Sequence, residues 1–382
     1  MENRRGKRLI SWILVLALVG AAGFYIQTHL PSLRQMGRII QVLYLIKNNA
    51  LYPAYPASLA EGAMAGMVDA LDDPYSTYLS PQAYQALSEN IRGNFGGIGV
   101  QVGMRNENQM TVAAPPFPGT PAETAGLRQG DVIVTIDGQK TAGLDLETAA
   151  ALLRGEPGTT VVVEISREGN PELLTISLVR AVINVPTVQQ RVLAEDRRLG
   201  YLAIASFSLN TEQDVGAALQ TLREAGAKGL VLDLRNNPGG EVGAAVDTAG
   251  YFLSKGPVVR IIDRKGGETV LTTEGQNDGL LPMVVLVNEM SASAAEILAG
   301  ALRDRAEVPL VGTTTFGKGV VQAVYALTDG AGLKLTTAKY LTPNGSDIQG
   351  RGLQPDREIK QELTSPEDYQ LQEAIRLLQE RI

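Results

Sequence analysis

From about Asn184 onward, short apolar runs end in glycine- or asparagine-rich turns and give way to segments with helical spacing. That alternation restricts the fold more than any other feature of the chain. The run Gly229–Leu234 leads through Leu234-Arg235-Asn236-Asn237-Pro238-Gly239-Gly240 into a helix over Val242–Leu253. Met283–Val287 leads into a helix from about Ala292 to Arg303, and a short strand follows near Val308–Val311. Strands alternating with helices predict βαβ units and a largely parallel sheet, an α/β core over residues 181–382. A last helix, Pro366–Gln379, gathers Tyr369, Leu371, Ala374, Ile375 and Leu378 on one face and is expected to pack back on that core.

Ahead of the core, residues 93–180 carry the glycine-rich stretch Gly93–Gly99 and then β-rich sequence to about Val179. The run Gly96-Gly97-Ile98-Gly99 is a poor dinucleotide loop. Position 102 is Val where a third glycine is required, and strand rather than helix follows. Ala125-Gly126-Leu127, Gly130-Asp131-Val132-Ile133, a helix over Leu146–Arg154 and a strand over Thr160–Arg167 together resemble a PDZ domain. Such a domain binds an extended peptide along a sheet edge and captures its terminal carboxylate on backbone N–H groups. The resemblance puts that loop at Gly97, Ile98 and Gly99, with Ile98 lining the pocket for an apolar last side chain; a tight turn between strands is the bland alternative.

Residues 32–92 show helical spacing over Met36–Asn48 and Ser58–Leu71, a helical region that brings no chemistry of its own. In residues 1–31, Arg4, Arg5, Lys7 and Arg8 precede an uncharged apolar stretch, Leu9–Ile26. About 18 helical residues nearly cross a bilayer core, and the basic flank keeps its own end in the cytoplasm. The expectation is a single N-terminal transmembrane helix, or signal anchor, with an extracytoplasmic body. A cleaved signal peptide ending near Val19-Gly20-Ala21 is the alternative. The net charge of -7 speaks against a nucleic-acid partner. With no cysteine, disulfides, thiolate metal sites and a cysteine nucleophile are excluded.

A Ser–His–Asp hydrolase needs a histidine near its serine. The only histidine, His29, lies ahead of every folded region, and no Gly-x-Ser-x-Gly elbow occurs. No acidic cluster has metal-ligand spacing, so no metal or cofactor is expected. If the chain is a hydrolase, lysine is the available base. Ser293 opens a helix, where free N–H groups and the dipole favour negative charge, yet Ser293 with Glu296 is equally a capping box. Lys318, between Gly317 and Gly319, is either a solvated loop residue or, if buried, an amine neutral enough to accept a proton. The Gly239-Gly240 turn is either a plain connection or an oxyanion donor.

Taken together and in this order, these elements resemble the carboxyl-terminal processing peptidases, the tail-specific serine proteases whose core is ClpP/crotonase-like. The likeness extends to Leu71–Leu79 and to Ile348-Gln349-Gly350-Arg351-Gly352. It implies Ser293 rather than Ser291 as nucleophile, Lys318 as base and Gln322 positioning the lysine. It also implies backbone oxyanion donors at Gly239 or Gly240 and at Ala294, and a gating role for Arg154, which is otherwise a surface arginine ending a helix. Met290 and Ala295 stand where relatives often carry Gly and Ser, at positions without a catalytic group. The implied activity is cofactor-free cleavage of exported proteins recognised by their C-termini, with a homodimer through the N-terminal helices. The rivals are an inactive PDZ scaffold, opposed by the intact Ser293, Lys318 and Gln322, and a crotonase-like acyl-transfer enzyme, opposed by the PDZ segment.

Overall fold

The computed structural model describes residues 31–105, 109–144, 146–275, 281–361, 365 and 367–382. Its contacts divide the chain into one unit ending at Tyr78 and a second running from Leu79 to Ile382. In the first unit, helices Pro31–Asn49 and Pro56–Asp69 leave Met36, Ile39, Ile40, Leu43 and Leu45 exposed. The expected transmembrane helix is corrected. Among the described residues no helix is long and apolar enough to cross a membrane, and Leu9–Ile26 and His29 lie outside those residues. The 19-residue helix Pro31–Asn49 has the length, but Arg34, Arg38 and Lys47 interrupt it, and each such charge is costly in hydrocarbon.

The second unit opens with helix Pro81–Arg92, capped by Ser80 and closed by left-handed Gly93. Strand Asn94–Gly97 then pairs antiparallel with Ala181–Asn184, tying together the two ends of the inserted β-rich segment. Within that segment an antiparallel sheet runs Val102–Arg105, Gln109–Val112, Val132–Ile136, Thr160–Ser166, Leu174–Val179, with Gln139–Lys140 beside the third strand. Thr160–Ser166 shows why one face is dry: Val161, Val163 and Ile165 alternate inward with period two. They join Ile133, Ile136, Leu127 and Leu153, the last from helix Leu146–Leu153, in a separate core.

The remaining chain contains, in order, β1 (Val188–Val192), β2 (Leu199–Ile204), α1 (Thr211–Glu224), β3 (Gly229–Asp233) and α2 (Val242–Ala249). Next come β4 (Gly256–Asp263), β5 (Glu268–Thr273), β6 (Met283–Val287), α3 (Ala294–Ala306) and β7 (Leu310–Gly312). β8 (Val320–Ala326), β9 (Gly332–Leu341), β10 (Arg357–Glu358) and α4 (Tyr369–Gln379) complete it. The main sheet has the order β1-β2-β3-β6-β7-β10, antiparallel only between β1 and β2. Every residue of β3 and β6 is buried, as central parallel strands covered on both faces require. Alternate residues divide between the faces. Leu230, Leu232, Val285 and Val287 meet α1, α2 and α3, while Val231, Val284 and Leu286 meet Leu371, Ala374, Ile375 and Leu378 of α4. Each such side chain contributes about 1.5–3 kcal/mol on burial.

A second, antiparallel sheet in the order β5-β4-β9-β8 has no counterpart in the sequence reading. It matters because it carries Gln322, and the loop between β7 and β8 carries Lys318.

Candidate active site

The turn between β6 and α3 ends at Ser293, whose backbone sits at φ 55, ψ -115. That region costs a non-glycine residue about 1–3 kcal/mol and persists only where the surroundings impose it. Three hydrogen bonds impose it here. The Ser293 N–H donates to Glu296 Oε2 at 2.8 Å. The Ser293 carbonyl accepts the Tyr340 hydroxyl at 3.1 Å and the Ile297 N–H at 2.9 Å. Burial pushes the Tyr340 phenol well above its ordinary pKa, so it stays a donor. A serine in this turn projects at the N-terminus of α3, where the dipole favours developing negative charge.

Ser291, two residues earlier, has a different occupation. It is 1% exposed, its hydroxyl donates to the Leu234 carbonyl at 2.7 Å, and it accepts from the Asn288 N–H at 2.9 Å. It fastens the β6–α3 turn to the end of β3. Three further bonds do the same. Asn236 N–H donates to Asn288 Oδ1 at 2.9 Å while Asn288 Nδ2 donates back to Asn236 Oδ1 at 2.9 Å, and Ala292 N–H donates to the Asn237 carbonyl at 2.9 Å.

The facing turn is built as tightly. Fully buried Asn237 donates to the Ile204 carbonyl at 2.8 Å and accepts the Gly239 N–H at 2.8 Å. Gly239, at φ 98, lies so close that a Cβ there would stand 2.8 Å from Ser293 Cβ and 3.0 Å from the Ala294 nitrogen. Gly240, at φ 141, presses on Phe207, where a Cβ would lie 2.0 Å from the carbonyl oxygen. No hydrogen bond from the Gly240 or Ala294 N–H is found among the described residues. The backbone of Gly239 and of Ala294 thus borders the serine, with Gly240 next in the chain.

Lys318 lies on a separate loop whose backbone is bonded to the same Glu296 carboxylate as Ser293. Its amine donates to Gln322 Oε1 at 2.8 Å. Its pKa is lowered, first by partial burial and then by the like charge of Lys334, with Glu296 opposing. Lys334 lies across from Val324 and Thr336 across from Gln322, so all four share one face of the β8–β9 hairpin. The loop is shaped by Ile348–Gly352: Gly350 N–H donates to the Gly317 carbonyl at 2.8 Å, and Gly319 N–H to Gln349 Oε1 at 2.7 Å.

Glu296 joins the two halves. Its carboxylate is fully buried and accepts four hydrogen bonds. Oε2 takes the backbone N–H groups of Ser293 (2.8 Å) and Lys318 (2.9 Å). Oε1 takes the Thr315 hydroxyl (2.5 Å) and the Gly317 N–H (2.7 Å). The Ser-x-x-Glu spacing signals a helix cap; the role of Glu296 in holding the lysine loop has no sequence signal of its own. Tyr340 likewise had none.

Other expected residues lie elsewhere. Ile98 is 1% exposed, within the PDZ core, and its carbonyl accepts the Ala122 N–H at 2.9 Å. Gly97 is in the strand pair with Ala181, and Gly99 accepts the Phe117 N–H at 3.0 Å. Arg154 stands 5.2 Å over the Phe95 ring and 3.6 Å from Glu89, with nearly half its side chain exposed. Among the described residues no group of three His, Cys, Asp or Glu is arranged to hold a metal ion.

Known proteins resemble the chain over most of its length. Residues 198–359 match peptidase family S41, residues 116–167 the PDZ domain, and residues 25–83 the activating protease CtpB N-terminal domain. A carboxyl-terminal-processing protease of Synechocystis sp. is 41% identical over 327 residues, covering 83% of this chain and 76% of the relative. Carboxy-terminal processing protease CtpB of Bacillus subtilis is 36% identical over 336 residues, covering 86% and 68%. The solved photosystem II D1 C-terminal processing protease is 34% identical with a TM-score of 0.51, covering 89% of this chain and 90% of that one. The chain belongs to the carboxyl-terminal processing proteases, serine-type peptidases of family S41 that carry a PDZ domain.

Proposed function

We propose that the chain is an endopeptidase in which Ser293 is acylated with Lys318 as general base. The observation that supports this reading best is the Glu296 carboxylate, which holds the backbones of Ser293 and Lys318 together while Gln322 fixes the lysine amine. Ser293 Oγ attacks the scissile carbonyl carbon as its proton passes to the neutral Lys318 Nζ. The oxyanion is received by Ala294 N–H and the Gly239–Gly240 turn. Lys318 then gives the proton to the departing amine as the C–N bond breaks. In the second half Lys318 takes a proton from water as the water oxygen attacks the acyl carbon, and returns it to Ser293 Oγ as the ester bond breaks. Because the neutral amine is the active form, hydrolysis is retained above the lowered pKa of Lys318 and falls as pH drops through it.

The PDZ domain captures the substrate's C-terminus on the backbone around Gly97–Gly99, and Arg154 belongs to the link between that domain and the protease core. The substrates are exported proteins, a reading supported by the basic-then-apolar order of the first 26 residues. The exposed apolar residues of Pro31–Asn49 support a homodimer through the N-terminal helices.

The test is hydrolysis of an unstructured protein with an apolar C-terminus. Ser293→Ala and Lys318→Ala should each abolish cleavage, and Ser291→Ala should keep part of it. Full activity in Ser293→Ala would falsify the mechanism. Amidating the substrate's C-terminus should raise KM, and an unchanged KM removes the PDZ capture step.

A further inference from the structure

The turn that faces Ser293 is gripped from behind by the C-terminal helix. Arg235 follows β3 directly and precedes Asn236–Gly240. Its guanidinium donates to both oxygens of Asp368 at 2.8 Å and to Gln370 Oε1 at 3.0 Å. On the other side it forms hydrogen bonds to Asp233 at 2.6 to 3.0 Å. Asp233 in turn accepts the Tyr201 hydroxyl at 2.7 Å, and Arg191 lies 4.0 Å over the Tyr201 ring. The arginine side chain is only 14% exposed, so this bidentate geometry is shielded from water on most sides.

Asp368 is also the N-cap of α4, accepting the Leu371 N–H at 2.9 Å. Gln370 is 2% exposed and donates to the Ile359 carbonyl at 2.7 Å. One end of the clamp is therefore a docked helix. The other end is one residue from Leu234 and Asn236, the points at which Ser291 and Asn288 fasten the nucleophile turn.

We propose that Asp368, supported by Gln370, is a positioning residue for proteolysis: through Arg235 it holds the Asn236–Gly240 turn against Ser293. Burial is the largest single influence and works against charge on both groups. The bonds between them, together with Leu371 N–H on Asp368 and Asp233 on Arg235, jointly keep Asp368 below and Arg235 above their ordinary pKa. The inference rests on the proposed oxyanion role of that turn, and its test includes a measurement independent of activity.

Asp368→Asn in the full chain keeps a side-chain oxygen for the helix cap but removes the charge that Arg235 grips. Amide hydrogen exchange at Asn236, Asn237 and Gly239 is expected to rise about tenfold, with α4 amides unchanged. On the unstructured substrate, kcat should fall about tenfold with KM within about threefold, and affinity for a peptide aldehyde that adds to Ser293 should fall in step with kcat. Gln370→Leu should move all of these in the same direction by a smaller factor, which covers the case in which Asp368→Asn folds poorly. Unchanged exchange at the turn overturns the proposal, and so does faster exchange with unchanged kcat. An aldehyde that fails to bind the unmodified enzyme counts against the functional reading instead, while exchange at the turn still reports the clamp.

Discussion

The two halves of the site are held in different ways. The serine half hangs on the ends of two fully buried strands, β3 and β6, and is fastened by Ser291, Asn288 and Asn237 into a backbone shape that serine resists. The lysine half is a loop between β7 and β8, half-buried, held by one carboxylate and wrapped by Ile348–Gly352. The contrast fits the roles proposed for the two groups. A nucleophile needs fixed geometry, which a rigid sheet edge supplies. A base needs a tuned amine, which partial burial and a neighbouring charge supply.

The largest effect should come from removing the one group common to both halves. Glu296→Ala leaves a hydroxyl and three N–H groups without an acceptor, so stability should drop by about 3 kcal/mol or more. Activity should fall about 10³-fold at a temperature where the variant is still folded, as seen by circular dichroism and single-turnover kinetics. If only one of the two losses appears, the halves are not joined through this carboxylate. Gln322→Ala touches the lysine half alone. Its kcat should fall about tenfold, the equivalent of one lost hydrogen bond, with denaturant stability nearly unchanged. Ser293→Gly touches the serine half alone: it ends catalysis, yet relief of the positive φ should stabilise the fold by about 1 kcal/mol in urea unfolding. No gain would mean that the turn is not strained. The smallest effect is Lys334→Gln. Removing a like charge lets the Lys318 pKa rise, so a higher pH is needed for the neutral amine and the acid limb of kcat should move upward. A limb that stays in place leaves burial alone to tune the base.

Much of this was legible in the sequence, for reasons that particular residues make plain. Met283–Val287 is a continuous apolar run, and the structure starts and ends the strand at those residues. Leu146–Arg154 shows the helical period, and the helix ends at Leu153. The helix predicted from Ala292 begins at Ala294, because Ser293 takes a shape no helix allows. What escaped was long-range. The Ser291 hydroxyl bonds a carbonyl 57 residues away, and Arg235 grips a carboxylate 133 residues away. No local period records such pairs. The antiparallel β4, β5, β8 and β9 escape a reading that looks for continuous apolar runs, because in stretches such as Leu333-Lys334-Leu335-Thr336 apolar and polar residues alternate.

The Glu296 carboxylate also limits how the enzyme can rest. Its two oxygens are shared between both loops, so withdrawing the lysine loop would strand an ion in the dry interior without its Thr315, Gly317 and Lys318 donors. A partly opened site is therefore a state of high energy rather than a point on a smooth path. Such an arrangement favours two discrete states of the loop over a graded range between them.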